Sequence, residues 1–184
     1  AVLGLRDADA RICDRNAHLN LRLAALKLAQ ADNHHVITYL DPRYPALLKQ
    51  TKQPPLLLFV KGNPLVLAQQ QLAMVGSRQP TPTGRKVAQS FAAELSQQGY
   101  VITSGMARGI DSESHKGALQ AGGLTIAVLG HGLKQVYPAS NKALAEAITE
   151  QGALVSEYFP DVLARAEWFP QRNRIVVGLS IGTI

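Results

Sequence analysis

Leu72-Ala73-Met74-Val75-Gly76-Ser77-Arg78, continued by Gln79-Pro80-Thr81-Pro82-Thr83-Gly84 and a mixed run to Gln98, is the stretch that decides the fold. Leu72–Val75 is a brief apolar run ending in glycine and predicts a short buried strand. A helix is predicted from about Thr83, with Thr81 or Thr83 as its cap. Val87, Ala88, Phe91, Ala92 and Leu95 supply its apolar stripe, and Gly99 stops it. A strand that feeds a helix through a glycine-containing loop presents backbone N–H groups and a helix dipole to an anion. Here the loop adds a cation, Arg78.

The same unit repeats downstream. Strand Tyr100–Thr103 leads through Ser104–Asp111 to helix Ser112–Ala121. Strand Leu124–Leu129 leads through Gly130–Ser140 to helix Asn141–Gln151. Strand Ala153–Ser156 follows, then an irregular stretch and a last helix at about Arg172–Gly178. Strands alternating with helices of ten or more residues predict a mostly parallel twisted sheet with helices on both faces. The near-continuous apolar strands agree with burial on both sides. Ligands of such sheets sit at the carboxyl ends of the strands, so the loops Gly76–Gly84, Ser104–Asp111 and Gly130–Ser140 are expected to share one edge. Upstream, Val36–Leu40 and Leu56–Lys61 read as short strands, with one helical turn at Ala46–Gln50. Residues 1–33 read as the remnant of a helical module. His34 and His35 are adjacent in an extended or irregular segment, so their side chains diverge and make no metal pair.

The chain has 184 residues, a formal net charge of +6 and a hydrophobic share of 46%. Its pI is about 9.7. That suits one domain with a substantial core and leans toward an anionic partner. Aromatics make up only 5%, so any stacking platform is small. The single cysteine, Cys13, excludes an internal disulfide or a cysteine zinc site and fits a reducing, cytoplasmic setting. No apolar run reaches the ~18 residues of a membrane span. The chain opens on Ala1 without a signal-peptide pattern and ends at Ile184, where the apolar Gly182-Thr183-Ile184 starts a new strand. A fragment trimmed at both ends is expected.

Nucleotide cofactors are disfavoured. Gly76-Ser77-Arg78 is not Gly-x-Gly-x-x-Gly, and a bulky cation stands where a glycine would admit a pyrophosphate. The second strand ends in Thr103-Ser104 and not in a ribose-binding acid; Gly130-His131-Gly132 is a lone Gly-x-Gly, and no Gly-Lys-Ser/Thr loop exists. In Ser104–Asp111, Gly105 and Gly109 suit special backbone angles and Asp111 suits an N-cap. Asp111 and His115, four apart with Glu113 between, allow a hydrolase or metal reading, but two ligands are too few for a metal site. Lys134 and Tyr137 bring a cation and an aromatic to the third loop. Trp168-Phe169-Pro170-Gln171-Arg172-Asn173-Arg174 holds two aromatics and two arginines. Either these neutralise phosphates and stack a base, or the rings pack inward and the arginines form ion pairs.

Several ordered motifs extend this reading: Gly76-Ser77-Arg78, Ser104-Gly105-x-Ala107-x-Gly109-Ile110-Asp111-x-x-x-His115, Ala118-Leu119, Ile126–Gly130, Gly132-Leu133, Tyr137-Pro138, Ser156-Glu157 and Phe169-Pro170-x-Arg172-Asn173-Arg174. Together, from about Val36 onward, they resemble the DNA-processing protein A family (DprA, also called Smf). The resemblance implies an extended Rossmann-like fold without cofactor or metal over residues 34–184. It also implies single-stranded DNA binding, loading of the RecA recombinase in natural transformation, and homodimerisation, with no catalytic activity. It assigns DNA contacts to Gly76, Ser77, Arg78, Ser104, Gly105, Arg108, Phe169, Arg172 and Arg174, with Phe169 stacking a base, and the third-loop cation Lys134 is expected to join them. It stops before the family's final strand and its Ser-Gly-Ser motif.

Two rival readings stand beside it, an enzyme on a related sheet and a sensor that uses the same pocket. A nucleotide phosphoribohydrolase of related fold needs a Pro-Gly-Gly-x-Gly-Thr loop with a nearby Glu, and no such run is present. A small-anion sensor needs only a bound nucleotide.

Overall fold

The computed structural model describes residues 31–184. The expected helical module therefore lies almost wholly outside the described residues. Seven strands form one sheet in the order β1-β2-β6-β5-β4-β3-β7. They are β1 (His34–Thr38), β2 (Leu57–Gly62), β3 (Gln71–Ala73), β4 (Val101–Ser104), β5 (Thr125–Val128), β6 (Ala153–Ser156) and β7 (Gly182–Thr183). β6, β5, β4, β3 and β7 run parallel, while β2 pairs antiparallel with both β6 and β1. Five helices connect them: α1 (Ala46–Lys49), α2 (Pro82–Gln97), α3 (Ile110–Gln120), α4 (Lys142–Gln151) and α5 (Trp168–Leu179). This is the mostly parallel α/β sheet expected from the strand–helix rhythm, and the extended Rossmann-like fold that the family resemblance implies.

Strand alternation sorts the core onto two faces. Ile126 and Val128 of β5, Leu58 and Val60 of β2, and Val155 of β6 pack with Leu48 of α1 and with Ile175, Val176 and Leu179 of α5. On the other face Ala127, Phe59 and Leu154 pack with Ala145 and Ile148 of α4. Beside them Met74 and Ile102 meet Ala92 of α2 and Ala118 of α3.

The expected apolar stripe of α2 is only partly buried. Ala88, Ala92 and Ser96 face inward, while Val87 and Phe91 are about half exposed. The reason is close approach. A Cβ on Gly117 of α3 would collide with the Gln89 carbonyl of α2, and one on Gly123 with Ser96. Helices this close bury their small residues and turn larger ones outward. Thr81 is the cap, its Oγ1 accepting the Gly84 N–H at 3.1 Å, with Pro82 in the first turn.

The last helix begins at Trp168, four residues before the expected Arg172. Trp168 and Phe169 are thus helical, and Phe169 and Arg172 stand three apart on one side.

His115 is a core residue of α3. It is fully buried, and its Nδ1 lies 2.6 Å from Thr125 Oγ1. Because that hydroxyl donates to the Ile102 carbonyl, Nδ1 carries the proton and Nε2 is a buried acceptor without a partner. Burial, with the nearby Arg172 charge, pushes its pKa down to about 3. The unfolded chain, with a histidine near 6.5, therefore holds a proton that the fold excludes. This residue costs nothing above that pH, and stability falls as pH drops toward 3, by about 1.4 kcal/mol per pH unit. Urea denaturation at pH 7 and pH 5 is expected to show wild type losing roughly 2 kcal/mol more than His115→Gln over that interval.

Candidate nucleic-acid interface

The three loops expected at the carboxyl edge do meet there. A cleft of about 320 Å³ is lined by Arg78 and Gln79 from the β3–α2 loop, Gly105, Ala107 and Arg108 from the β4–α3 loop, Tyr137 and Pro138 from the β5–α4 connection, and Phe169 of α5.

Backbone contacts lock the loops together. The Ile110 N–H donates to the Ser77 carbonyl at 3.1 Å. Gly109 (φ +84°) sits where a Cβ would strike that same carbonyl, and a Cβ on Gly76 would lie 2.7 Å from Ile110 Cγ1. Both glycines are thus required by contact between the first two loops. The third loop is tied in by Asn141, whose Nδ2 donates to the Met106 carbonyl and to Ser112 Oγ, both at 2.9 Å. Ser112 Oγ in turn donates to the Ala107 carbonyl at 2.6 Å.

The expected site residues divide into two groups. Arg78 and Arg108 are exposed at the cleft. Neither forms an ion pair among the described residues. Arg78 lies over Phe169, with Cζ 5.8 Å from the ring centroid. Phe169 is half-buried. One edge packs on Gly130, and its ring stacks with Tyr137 at 5.5 Å and 25°. Tyr137, 54% exposed, is therefore the open end of this ladder. It lies outside the assigned DNA contacts because nothing in the sequence says that residues 32 positions apart will stack.

The rest are placed elsewhere. Ser104 is buried and donates to the Met74 carbonyl at 2.6 Å, so it aligns strands and offers the cleft no hydroxyl. Arg172, expected on the surface, is 3% exposed. Its Nη1 donates to the Gly105 carbonyl at 2.5 Å and also to the Val128 carbonyl. A Cβ on Gly105 would collide with this guanidinium, so Gly105 makes room for Arg172. Arg174 pairs with Glu157 beyond β6. Lys134 pairs with Asp161 at 2.5 Å and lines a separate hollow of about 220 Å³ with Lys61 and Lys142.

Asp111 balances Arg172. It is not the expected N-cap: Gly109 takes that position and α3 already begins at Ile110, so Asp111 lies in the first turn and its Oδ2 accepts the N–H of Ala107 in the preceding loop at 3.2 Å. Burial pushes its carboxyl up, opposed by the Arg172 charge. Burial likewise pulls the Arg172 guanidinium down, opposed by Asp111. Among the described residues, no group of three or more His, Cys, Asp or Glu could hold a metal ion, and no helix is long and apolar enough to cross a membrane.

The sheet is Rossmann-like, and its carboxyl edge carries an aromatic ladder, two arginines without an ion pair among the described residues, and a first loop without a dinucleotide fingerprint. Residues 35–184 match the model of one family, DNA recombination-mediator protein A, and the chain belongs to it. It is 46% identical over 153 residues to Protein Smf of Escherichia coli (strain K12), covering 83% of this chain and 41% of that one. To DNA processing protein DprA of Bacillus subtilis (strain 168) it is 39% identical over 143 residues, covering 77% and 48%. The chain thus spans less than half the length of these two curated relatives. The X-ray structure of DprA from Streptococcus pneumoniae superposes with a TM-score of 0.82 at 37% identity, over 98% of this chain and 62% of that one. The structure of DNA processing protein A from Helicobacter pylori, described for its single-stranded DNA binding mode, gives 0.73 at 30% identity, over 82% and 67%.

Removing the buried guanidinium leaves two carbonyls and Asp111 without their partner. Arg172→Leu is expected to destabilise the protein by about 3 kcal/mol or more, with Arg172→Lys recovering part of the loss, as read by urea denaturation midpoints.

Proposed function

We propose that this chain binds single-stranded DNA in the Arg78 cleft and is the DNA-binding part of a longer, non-enzymatic recombination mediator. In that reading Arg78 and Arg108 neutralise backbone phosphates, and the Phe169–Tyr137 ladder stacks a base. Gly76, Ser77, Gly105 and Ser104 shape the loops that carry them. Arg172 and Arg174 act from within, as positioning residues. Recognition by charge and stacking is sequence-tolerant, which suits a protein that handles any incoming strand. The observation that carries the reading is the exposed Arg78 guanidinium, without an acidic partner among the described residues and 5.8 Å from an aromatic centroid. Such a charge is available to a phosphate, while Tyr137 at the open end of the ladder is available to a base.

Membership of a recombination-mediator family supports the wider role: a cytoplasmic homodimer in the full-length protein, handing the bound strand to the RecA recombinase during DNA uptake. The single-stranded DNA binding described for the Helicobacter pylori relative supports the ligand.

Fluorescence anisotropy of labelled oligo-dT across a salt series tests this. The logarithm of the association constant should fall linearly with that of salt, by ~0.7 per phosphate contact. Arg78→Ala should weaken binding about tenfold for every sequence and lower the slope by about one contact. Lys134→Ala, already paired with Asp161, should change affinity less than about twofold. Salt-insensitive binding, or full affinity in Arg78→Ala, would overturn the proposal.

A further inference from the structure

α5 opens with two adjacent aromatics that turn opposite ways. Phe169 goes to Gly130 and Tyr137. Trp168 goes to Tyr158, two residues past the end of β6, where the rings stack at 4.9 Å and 21°. Arg165 caps this second stack, its Cζ 5.0 Å from the indole centroid, and its side chain is 64% exposed. The Tyr158 N–H donates to Ser156 Oγ at 3.0 Å, so the stack is anchored to the strand end.

A tryptophan that serves only packing joins an apolar core. Trp168 and Tyr158 are half-buried and belong to none of the three apolar clusters. The acids nearby are matched: Glu157 with Arg174, Asp161 with Lys134, and Glu167 loosely with Arg165 at 3.9 Å. The patch therefore presents flat rings and an exposed guanidinium, with no uncompensated negative charge among the described residues.

Its position relative to the Arg78 cleft follows from the sheet. β3, β4, β5 and β6 are successive neighbours, and three steps of about 4.8 Å put the β6 edge about 14 Å from the β3 edge. That is the reach of about four stacked nucleotides at ~3.4 Å each, and of fewer when the strand is stretched. We infer that the Tyr158–Trp168–Arg165 stack is a second base-stacking station for single-stranded DNA, with the strand running from Arg78 past Tyr137 and over the start of α5 to Trp168. The inference rests on the reading of the Arg78 cleft as a DNA site. Arg165 swings off the indole face to meet a phosphate, and a base takes its place.

Trp168 is the only tryptophan in the chain, so the station reports on itself. Oligo-dT of about 16 nucleotides, long enough to fill one binding groove, is titrated while indole fluorescence and the anisotropy of a labelled copy are followed. The expected result is quenching that saturates together with the anisotropy. Trp168→Leu should bind roughly tenfold more weakly, and Trp168→Phe within about twofold of wild type. Anisotropy that reports binding while the indole stays unquenched overturns the second station and leaves the Arg78 cleft standing. Absence of binding by wild type overturns both. The quenching arm needs no variant, so it decides the matter even where Trp168→Leu does not fold.

Discussion

The site depends on one buried guanidinium. Arg172 reaches from α5 through the sheet edge to the carbonyls of Gly105 and Val128, which lie just past β4 and at the end of β5. A charge so deep is tolerated only where hydrogen bonds and a counter-charge replace water; here the carbonyls on Nη1 and the charge of Asp111 do so, while Nε is buried without a partner. The consequence spreads through the loops. Fixing Gly105 fixes the β4–α3 turn, with Met106 at φ 61° and Gly109 at φ 84°. That turn docks against Ser77 through Gly109 and Ile110, and Ser77 precedes Arg78. The exposed arginine of the cleft is held in place by a buried one.

This arrangement explains why four arginines that the sequence assigns to one site are placed differently. Arg78 and Arg108 lie on loops beyond the strand ends, where water solvates them and no acid is within reach among the described residues. Arg172 and Arg174 lie on a helix laid across the sheet, where the backbone directs them to carbonyls and to Glu157. A phosphate binder must keep its charge uncommitted, while a structural arginine must commit it. The aromatics divide similarly. Phe169 is wedged against Gly130, and Tyr137 keeps an open ring.

The acidic and imidazole groups beneath the cleft are structural. Asp111 holds the Ala107 N–H and faces Arg172, and Glu113 bridges Gln89 and Lys116 to clamp α2 on α3. His115 is a neutral hydrogen-bond donor within the core. The spacing that allowed a hydrolase or metal reading thus serves the packing of α2 on α3 and of α3 on the sheet.

The sequence by itself determined the alternating strands and helices, the parallel sheet and the three loops at its carboxyl edge, because hydrophobic period, glycine stops and caps are local properties of the chain. It also placed Arg78 on the leading loop and excluded a dinucleotide fingerprint there. Tertiary structure alone decided which cations face solvent, because the early start of α5 rotated Arg172 inward and Phe169 toward Tyr137. It likewise decided that α2 buries alanines and exposes Val87 and Phe91, since the separation between helices is set by glycines on the partner. Pairings such as Phe169 with Tyr137, 32 positions apart, or Trp168 with Tyr158, 10 apart, lie outside the reach of local periodicity. Their geometry exists only once the sheet has brought the strand ends together.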